Sequence, residues 1–195
     1  MATNPMRVLA DDLLDIPVPP HLRGFELVDG KLVDVTPVSF AHACLAAEIA
    51  AQLRNHAVEH HIPGYVGVEG GFVLRLPRDP ERVRGPDVAW VSEANLRQHG
   101  GAPARGFLRL VPDLVVEVDS PDRQPRVEQE RIQNYLDVGV PLLWVVHTVS
   151  RSVTVYRPDG ASRELYESDV LDGAEVLPGL RLALGKLFER MPPEE

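Results

Sequence analysis

The chain holds one cysteine, Cys44, which excludes an intramolecular disulfide framework and a cysteine-rich zinc site. It falls within a helical pattern, where a thiol serves as a small buried apolar residue. No apolar run reaches the ~20 residues of a membrane span, and the N-terminus lacks a basic-then-apolar leader, so the expected location is the cytoplasm. Positive charge is scarce: 20 Lys and Arg against 29 Asp and Glu give a formal net charge of −9. That balance argues against a passive nucleic-acid coat, which needs a basic surface. It still admits an enzyme that meets a phosphodiester through a divalent ion held by carboxylates, because the ion supplies the missing charge. No aromatic-rich basic patch is present to stack bases, and there is no internal repeat or low-complexity tract.

At 195 residues, 44% hydrophobic and 25% charged, the chain suits one sizeable core and reads as a single domain over 1–195. Two stretches organise it, Arg84-Gly85-Pro86-Asp87-Val88-Ala89-Trp90-Val91 and Pro112-Asp113-Leu114-Val115-Val116-Glu117-Val118. Each runs from a Pro-Asp pair into apolar, β-branched residues, the composition of a buried strand. Glu117 interrupts the second at a point where a carboxylate is costly unless paired, protonated or bound to a cation. A cation is the expectation.

Residues 7–14 suggest a short helix, and Pro19-Pro20 an extended linker. Phe25-Glu26-Leu27-Val28, Asp29-Gly30 and Lys31-Leu32-Val33-Asp34-Val35 read as an N-terminal hairpin. Ser39 caps a helix running to about His60, on which His42, Ala46, Ile49, Leu53 and Ala57 form a core-facing stripe. On composition alone, a histidine in such a stripe is more often a hydrogen-bonded core residue than a ligand. Strands are expected at 65–68 and 72–76 around Gly70-Gly71, a loop over 77–84, and a long irregular segment over 92–106. Ser120-Pro121-Asp122-Arg123-Gln124-Pro125 turns the chain into a helix over 126–137, where Val127, Glu130, Arg131, Asn134 and Tyr135 take neighbouring positions. Leu142-Leu143-Trp144-Val145-Val146 is a buried strand, so strand, helix and strand make a parallel crossover. A C-terminal hairpin turns at Pro158-Asp159-Gly160. An apolar tail with a short helix follows, and residues 191–195 are expected to fray.

Two adjacent strands can bring Asp87 and Glu117 to one point, and magnesium typically takes one or two carboxylates besides water and phosphate oxygens. Asp119 shares the strand face of Glu117 because side chains alternate. The competing reading makes Asp87 and Asp113 turn residues at the start of their strands, with Glu117 paired to Arg131 of the crossover helix. Spacing leaves both readings open.

The order of these blocks resembles the Uma-two family of endonucleases. Phe25-Glu26-Leu27-Val28-Asp29-Gly30, Pro37-Val38-Ser39 with His42, Arg84-Gly85-Pro86-Asp87-Val88 and the Glu117 stretch with Ser120-Pro121 all take part. Tyr135 with Gly139-Val140-Pro141, then Trp144-Val145-Val146, Val153-Thr154-Val155-Tyr156, Leu171-Asp172-Gly173 and Leu177-Pro178-Gly179 continue the match over almost the whole chain. The resemblance implies an α/β fold of the PD-(D/E)XK, or restriction-endonuclease-like, type: a mixed β-sheet flanked by helices, here with hairpins near both ends. It implies magnesium or manganese held by Asp87 and Glu117, with the Val118 carbonyl as a third ligand. Glu26 is implied as a further acidic residue of the site and Arg131 as its cation, with His42, Arg84 and Tyr135 near the substrate. The implied activity is hydrolysis of nucleic acid, DNA foremost, by a protein that often acts as a homodimer. The alternative is a catalytically degenerate relative that serves as a binding or assembly module. One departure stands out. Two residues after Glu117 the superfamily pattern has lysine and this chain has Asp119; the family tends to move the lysine to the following helix, at the position of Arg131. Arginine keeps its charge and forks onto oxyanions, but it cannot act as a tuned base.

Overall fold

A computed structural model describes residues 7–16, 25–34, 38–119 and 125–192 of the chain. The expected linker at Pro19-Pro20, the block residue Pro37, the turn over 120–124 and the last residues of the tail lie outside the described residues. The short N-terminal helix is a 3-10 turn, Asp11–Leu14, that buries Leu13.

The body of the fold is a six-stranded mixed sheet. Its strands are β3 (Gly64–Val68), β6 (Val88–Ser92), β7 (Leu114–Val118), β8 (Leu142–His147), β9 (Ser152–Tyr156) and β10 (Ser162–Leu165), in the spatial order β10-β9-β8-β7-β6-β3. β7 and β8 are parallel, joined by helix α3 (Pro125–Asp137) as the sequence leads one to expect, and the other neighbours are antiparallel. A smaller sheet in the order β2-β1-β5-β4 comprises β1 (Phe25–Val28), β2 (Lys31–Asp34), β4 (Phe72–Leu74) and β5 (Arg82–Arg84). The β1–β2 hairpin turns on Asp29 and Gly30, whose φ angles of 51° and 70° are those an Asp-Gly hairpin turn requires.

Strand period sets the layers. Leu114, Val116 and Val118 of β7 join the core under helix α1 (Phe40–Glu59), with Leu45, Ile49 and Leu53 of that helix. Val115 lies on the opposite face in a second core with Tyr135, Val140, Leu143 and Val145. Each such buried aliphatic side chain contributes about 1.5–3 kcal/mol relative to exposure. Glu117 therefore shares the α3 side of the sheet with Val115. Two short strands, β11 (Val170–Asp172) and β12 (Arg181–Ala183), and helix α4 (Leu184–Phe188) close the core under α1, where His56 Nε2 donates to Pro178 O at 3.0 Å. Cys44 is half-buried on α1.

Three local expectations are corrected. The residues over 77–84 are not all loop: Arg82–Arg84 is a buried strand between β1 and β4, and its charges escape a polar pattern reading because each arginine is paired inside the protein. The strand around Asp87 is broken. Its first part belongs to the small sheet, and Gly85-Pro86-Asp87 carries the chain across to β6 in the large one. The segment after Ser92 opens with a helix, α2 (Glu93–Gln98), capped by Ser92 Oγ, which accepts from Asn95 N at 3.2 Å. β3 and β4, neighbours in sequence, also part company into different sheets.

Candidate functional site

The crossing at Gly85-Pro86-Asp87 is the seam between the two sheets, and the predicted site residues meet there. β1 supplies Glu26, α1 supplies His42, β5 supplies Arg84, β7 supplies Glu117, and α3 supplies Arg131 and Tyr135. On α3, Arg131, Asn134 and Tyr135 are its buried residues, the spacing that puts side chains on one face of a helix.

Arg131 is the hub. Its Nη2 donates to Glu117 Oε1 at 2.8 Å and Oε2 at 2.9 Å, its Nε reaches Oε2 at 3.3 Å, and its Nη1 donates to Glu26 Oε1. Nη2 also lies 3.2 Å from Gly85 O. Tyr135 Oη donates to Glu117 Oε1 at 2.7 Å. Glu26 is held from the other side by Arg84 Nη1 at 2.6 Å and by the Gly85 N–H at 3.1 Å. Arg84 is completed by Asn134 Oδ1, at 2.9 Å from Nη2 and 3.2 Å from Nε, and by Glu130.

Asp87 forms the second lobe. Its Oδ2 accepts the Val118 N–H at 2.6 Å and its Oδ1 lies 3.0 Å from His42 Nε2. A carboxylate only accepts, so the Nε2 proton points at Asp87; that leaves Nδ1 of His42 buried without a partner. Asp113, the other Pro-Asp acid, lies elsewhere: its Oδ2 accepts from Ser92 N at 2.7 Å and Asn95 Nδ2 at 3.1 Å, a loop-fixing role. Asp119 also turns away from the cluster, toward His147.

Burial governs the electrostatics. Glu117 is 2% exposed, and burial together with the like charge of Asp87 outweighs Arg131, so its carboxyl is pushed up from its ordinary value. Glu26 is opposed by burial too, but Arg131 and Arg84 outweigh it and hold that carboxyl below the usual range. Burial works against the charge of Arg131, and Glu117, Tyr135 and Glu26 overcome it, so the guanidinium stays charged. Burial and the neighbouring Glu117 push the Tyr135 hydroxyl up, which keeps it a proton donor. Three carboxylates, Glu26, Asp87 and Glu117, face two guanidinium groups, Arg84 and Arg131, so one negative charge is in excess when His42 is neutral.

The donor set fits a hard divalent ion in type. Two aspartate and glutamate carboxylates near enough to repel each other are what magnesium takes, and one N–H bond leaves lone-pair capacity on each Asp87 oxygen. Among the described residues, Glu26 does not join Asp87 and Glu117 in a group of three mutually close ligand atoms. The residues expected to contact substrate, His42, Arg84 and Tyr135, are all buried, and each is bonded to a carboxylate of the cluster. The chain's two lysines, Lys31 and Lys186, lie on β2 and α4, so neither occupies the superfamily position on β7 or α3. Asn134 and Glu130 stand on the helix face that the sequence pattern predicts, but their partners are the arginines of β5, in a stretch whose polar pattern reads as loop.

No helix among the described residues is long and apolar enough to cross a membrane. A comparison with curated proteins gives no match. Among solved structures, a protein described as a putative nuclease belonging to DUF820 from Anabaena variabilis superposes with a TM-score of 0.78. It covers 94% of this chain and 98% of its own at 17% identity, and it shares the restriction-endonuclease-like mixed sheet flanked by helices. The sequence profile of Uma2, described as "Putative restriction endonuclease", matches residues 10–185, and the chain therefore belongs to the Uma2 family.

Proposed function

We propose that this protein is a metal-dependent nuclease that hydrolyses phosphodiester bonds of nucleic acid, with DNA as its substrate. The observation that carries this reading is the convergence of Asp87 and Glu117 beside a buried arginine with negative charge left over. Folding alone does not call for that surplus, and a cation would remove it.

Asp87 and Glu117, with the Val118 carbonyl, would hold magnesium or manganese, which when bound polarises a phosphodiester and lowers the pKa of water. The chain's own groups do the rest. Arg131 and Tyr135 fix both oxygens of Glu117, so the carboxylate needs no reorganisation. Arg131 also contributes a permanent positive charge beside the place where negative charge develops, without giving up a proton. Arg84 positions Glu26, and Glu26 positions Arg131. His42, with Nε2 on Asp87 Oδ1, orients that carboxylate. Cutting both strands of a duplex calls for two such sites, so the reading includes a homodimer, which sedimentation at micromolar concentration checks.

The second reading, a non-cutting binding or assembly module, is favoured by one observation: Arg131 already satisfies both oxygens of Glu117. Thermal unfolding and cleavage of labelled plasmid and single-stranded DNA separate the two. Magnesium- or manganese-dependent stabilisation and cutting, both lost in Asp87→Ala and Glu117→Ala, support the nuclease. Absence of a metal shift and of cutting, with a large loss of stability in Glu117→Ala, establishes the module.

A further inference from the structure

Two residues beyond Glu117 the chain builds something else. Asp119 follows β7, His147 ends β8, and Glu128 stands on the first turn of α3; each offers a ligand atom, and the three atoms all lie within 4.8 Å of one another. We propose that Asp119, Glu128 and His147 form a second cation site, distinct from the Glu117 cluster, that takes a first-row transition ion such as zinc or manganese.

The donor chemistry selects that class. One imidazole with two carboxylates suits zinc and manganese, whereas magnesium and calcium favour oxygen alone. Spacing agrees. His147 Nδ1 and Asp119 Oδ2 are 3.5 Å apart, long for a hydrogen bond. Two ligands at about 2.1 Å from one ion at a tetrahedral angle stand about 3.4 Å apart. The ring is also oriented from behind: His147 Nε2 lies 3.0 Å from Thr154 Oγ1, the outer-shell hydrogen bond that directs the other nitrogen toward a metal. The place is one where α/β sheets bind ligands, at the carboxyl ends of two parallel strands joined by a crossover helix. Both Asp119 and His147 keep solvent access, with side chains 29% and 27% exposed.

An ion there would tie the end of β7 to the start of α3. Glu117 lies two residues before Asp119, and Arg131 one turn after Glu128, so the same two elements carry both partners of the buried ion pair. The site thus acts on the cluster by position, and its existence does not depend on the nuclease reading.

The test is calorimetric titration of the full chain with zinc, and the visible spectrum of the cobalt form, for the wild type and for Asp119→Asn, His147→Ala, Asp87→Asn and the double variant His60→Ala/His61→Ala. The wild type should bind zinc at micromolar concentration or below at a site whose cobalt form shows bands of nitrogen–oxygen coordination. Asp119→Asn and His147→Ala should each weaken binding by about tenfold or more. The His60/His61 variant should bind as the wild type does, and Asp87→Asn should keep the nitrogen–oxygen cobalt bands and the zinc affinity that Asp119→Asn and His147→Ala lose. Absence of zinc binding by the wild type, or nitrogen–oxygen cobalt bands that survive both Asp119→Asn and His147→Ala, overturns the proposal. So does loss in the His60/His61 variant, which would move the ion to the end of α1. Circular dichroism of each variant shows that a lost site is not a lost fold.

Discussion

Replacing Arg131 by methionine is the sharpest perturbation the cluster offers. The side chain keeps most of its length while the charge and the fork disappear. Glu117, 2% exposed, is left with the Tyr135 hydroxyl among the cluster's donors and with the repulsion of Asp87; Glu26 keeps Arg84 and the Gly85 N–H. Stranding one partner of a buried ion pair costs about 3–5 kcal/mol. For a chain of this size each kcal/mol moves Tm by about 2–4 °C, so the expected loss is about 6–20 °C. The pH dependence follows from the direction of the Glu117 shift. A carboxyl raised in the folded state favours folding below its unfolded value, the ordinary 4.5, and loses that contribution as pH rises through the folded value. The deficit of Arg131→Met should therefore be largest at neutral pH and shrink as pH falls toward 4.5, because buried Glu117 takes up a proton more readily than a free carboxyl. Removing both charges, in Arg131→Met/Glu117→Leu, should recover most of the loss, because a hydrophobic pair replaces a buried ion pair at little cost. Magnesium should stabilise Arg131→Met more than the wild type, since an ion then supplies the charge the arginine gave. Urea unfolding followed by circular dichroism from pH 4 to 8 reads all of these. A single variant within about 0.5 kcal/mol of the wild type, or a double variant no better than the single, would refute the reasoning.

Three further expectations use the same geometry. Glu26→Gln should flatten the acid limb of the stability curve: the carboxyl of Glu26 is lowered in the folded state, so its contribution is present above 4.5 and lost as pH falls through the folded value; urea midpoints that fall with acid as steeply as those of the wild type would contradict this. Tyr135→Phe removes a donor from buried Glu117 and should cost about 1–3 kcal/mol in chemical unfolding, with Glu117 pushed further up; a neutral effect would mean that the hydroxyl bond contributes nothing. Arg131→Lys keeps the charge but cannot bridge Glu26 and two oxygens of Glu117 together, so it should be less stable than the wild type yet more stable than Arg131→Met; stability equal to the wild type would show the fork to be unnecessary.

Much of this protein is determined locally. The Asp-Gly hairpin, the Ser39-capped helix and the β-branched strands around Glu117 follow from turn chemistry and from periods of 2 and 3.6, which neighbouring residues encode by themselves. The residue types of the cluster were legible for the same reason: a glutamate within a run of buried valines must have a partner, and Arg131 and Tyr135 stand one turn apart on the next helix. Only the tertiary structure decided which partners those are. Arg82 and Arg84 read as loop because a strand of alternating arginines becomes favourable only once Asp79, Glu26, Glu130 and Asn134, up to 58 positions away, arrive to neutralise it. Asp87 and Asp113 share one local pattern and have different fates, because Gly85-Pro86-Asp87 crosses between two sheets and brings Asp87 to the Val118 N–H, whereas Asp113 meets the start of α2. Asp119 shares the parity of Glu117 but leaves the strand as it ends, and the neighbour it finds there, His147, is set by the parallel pairing of β7 with β8, which no window of sequence contains.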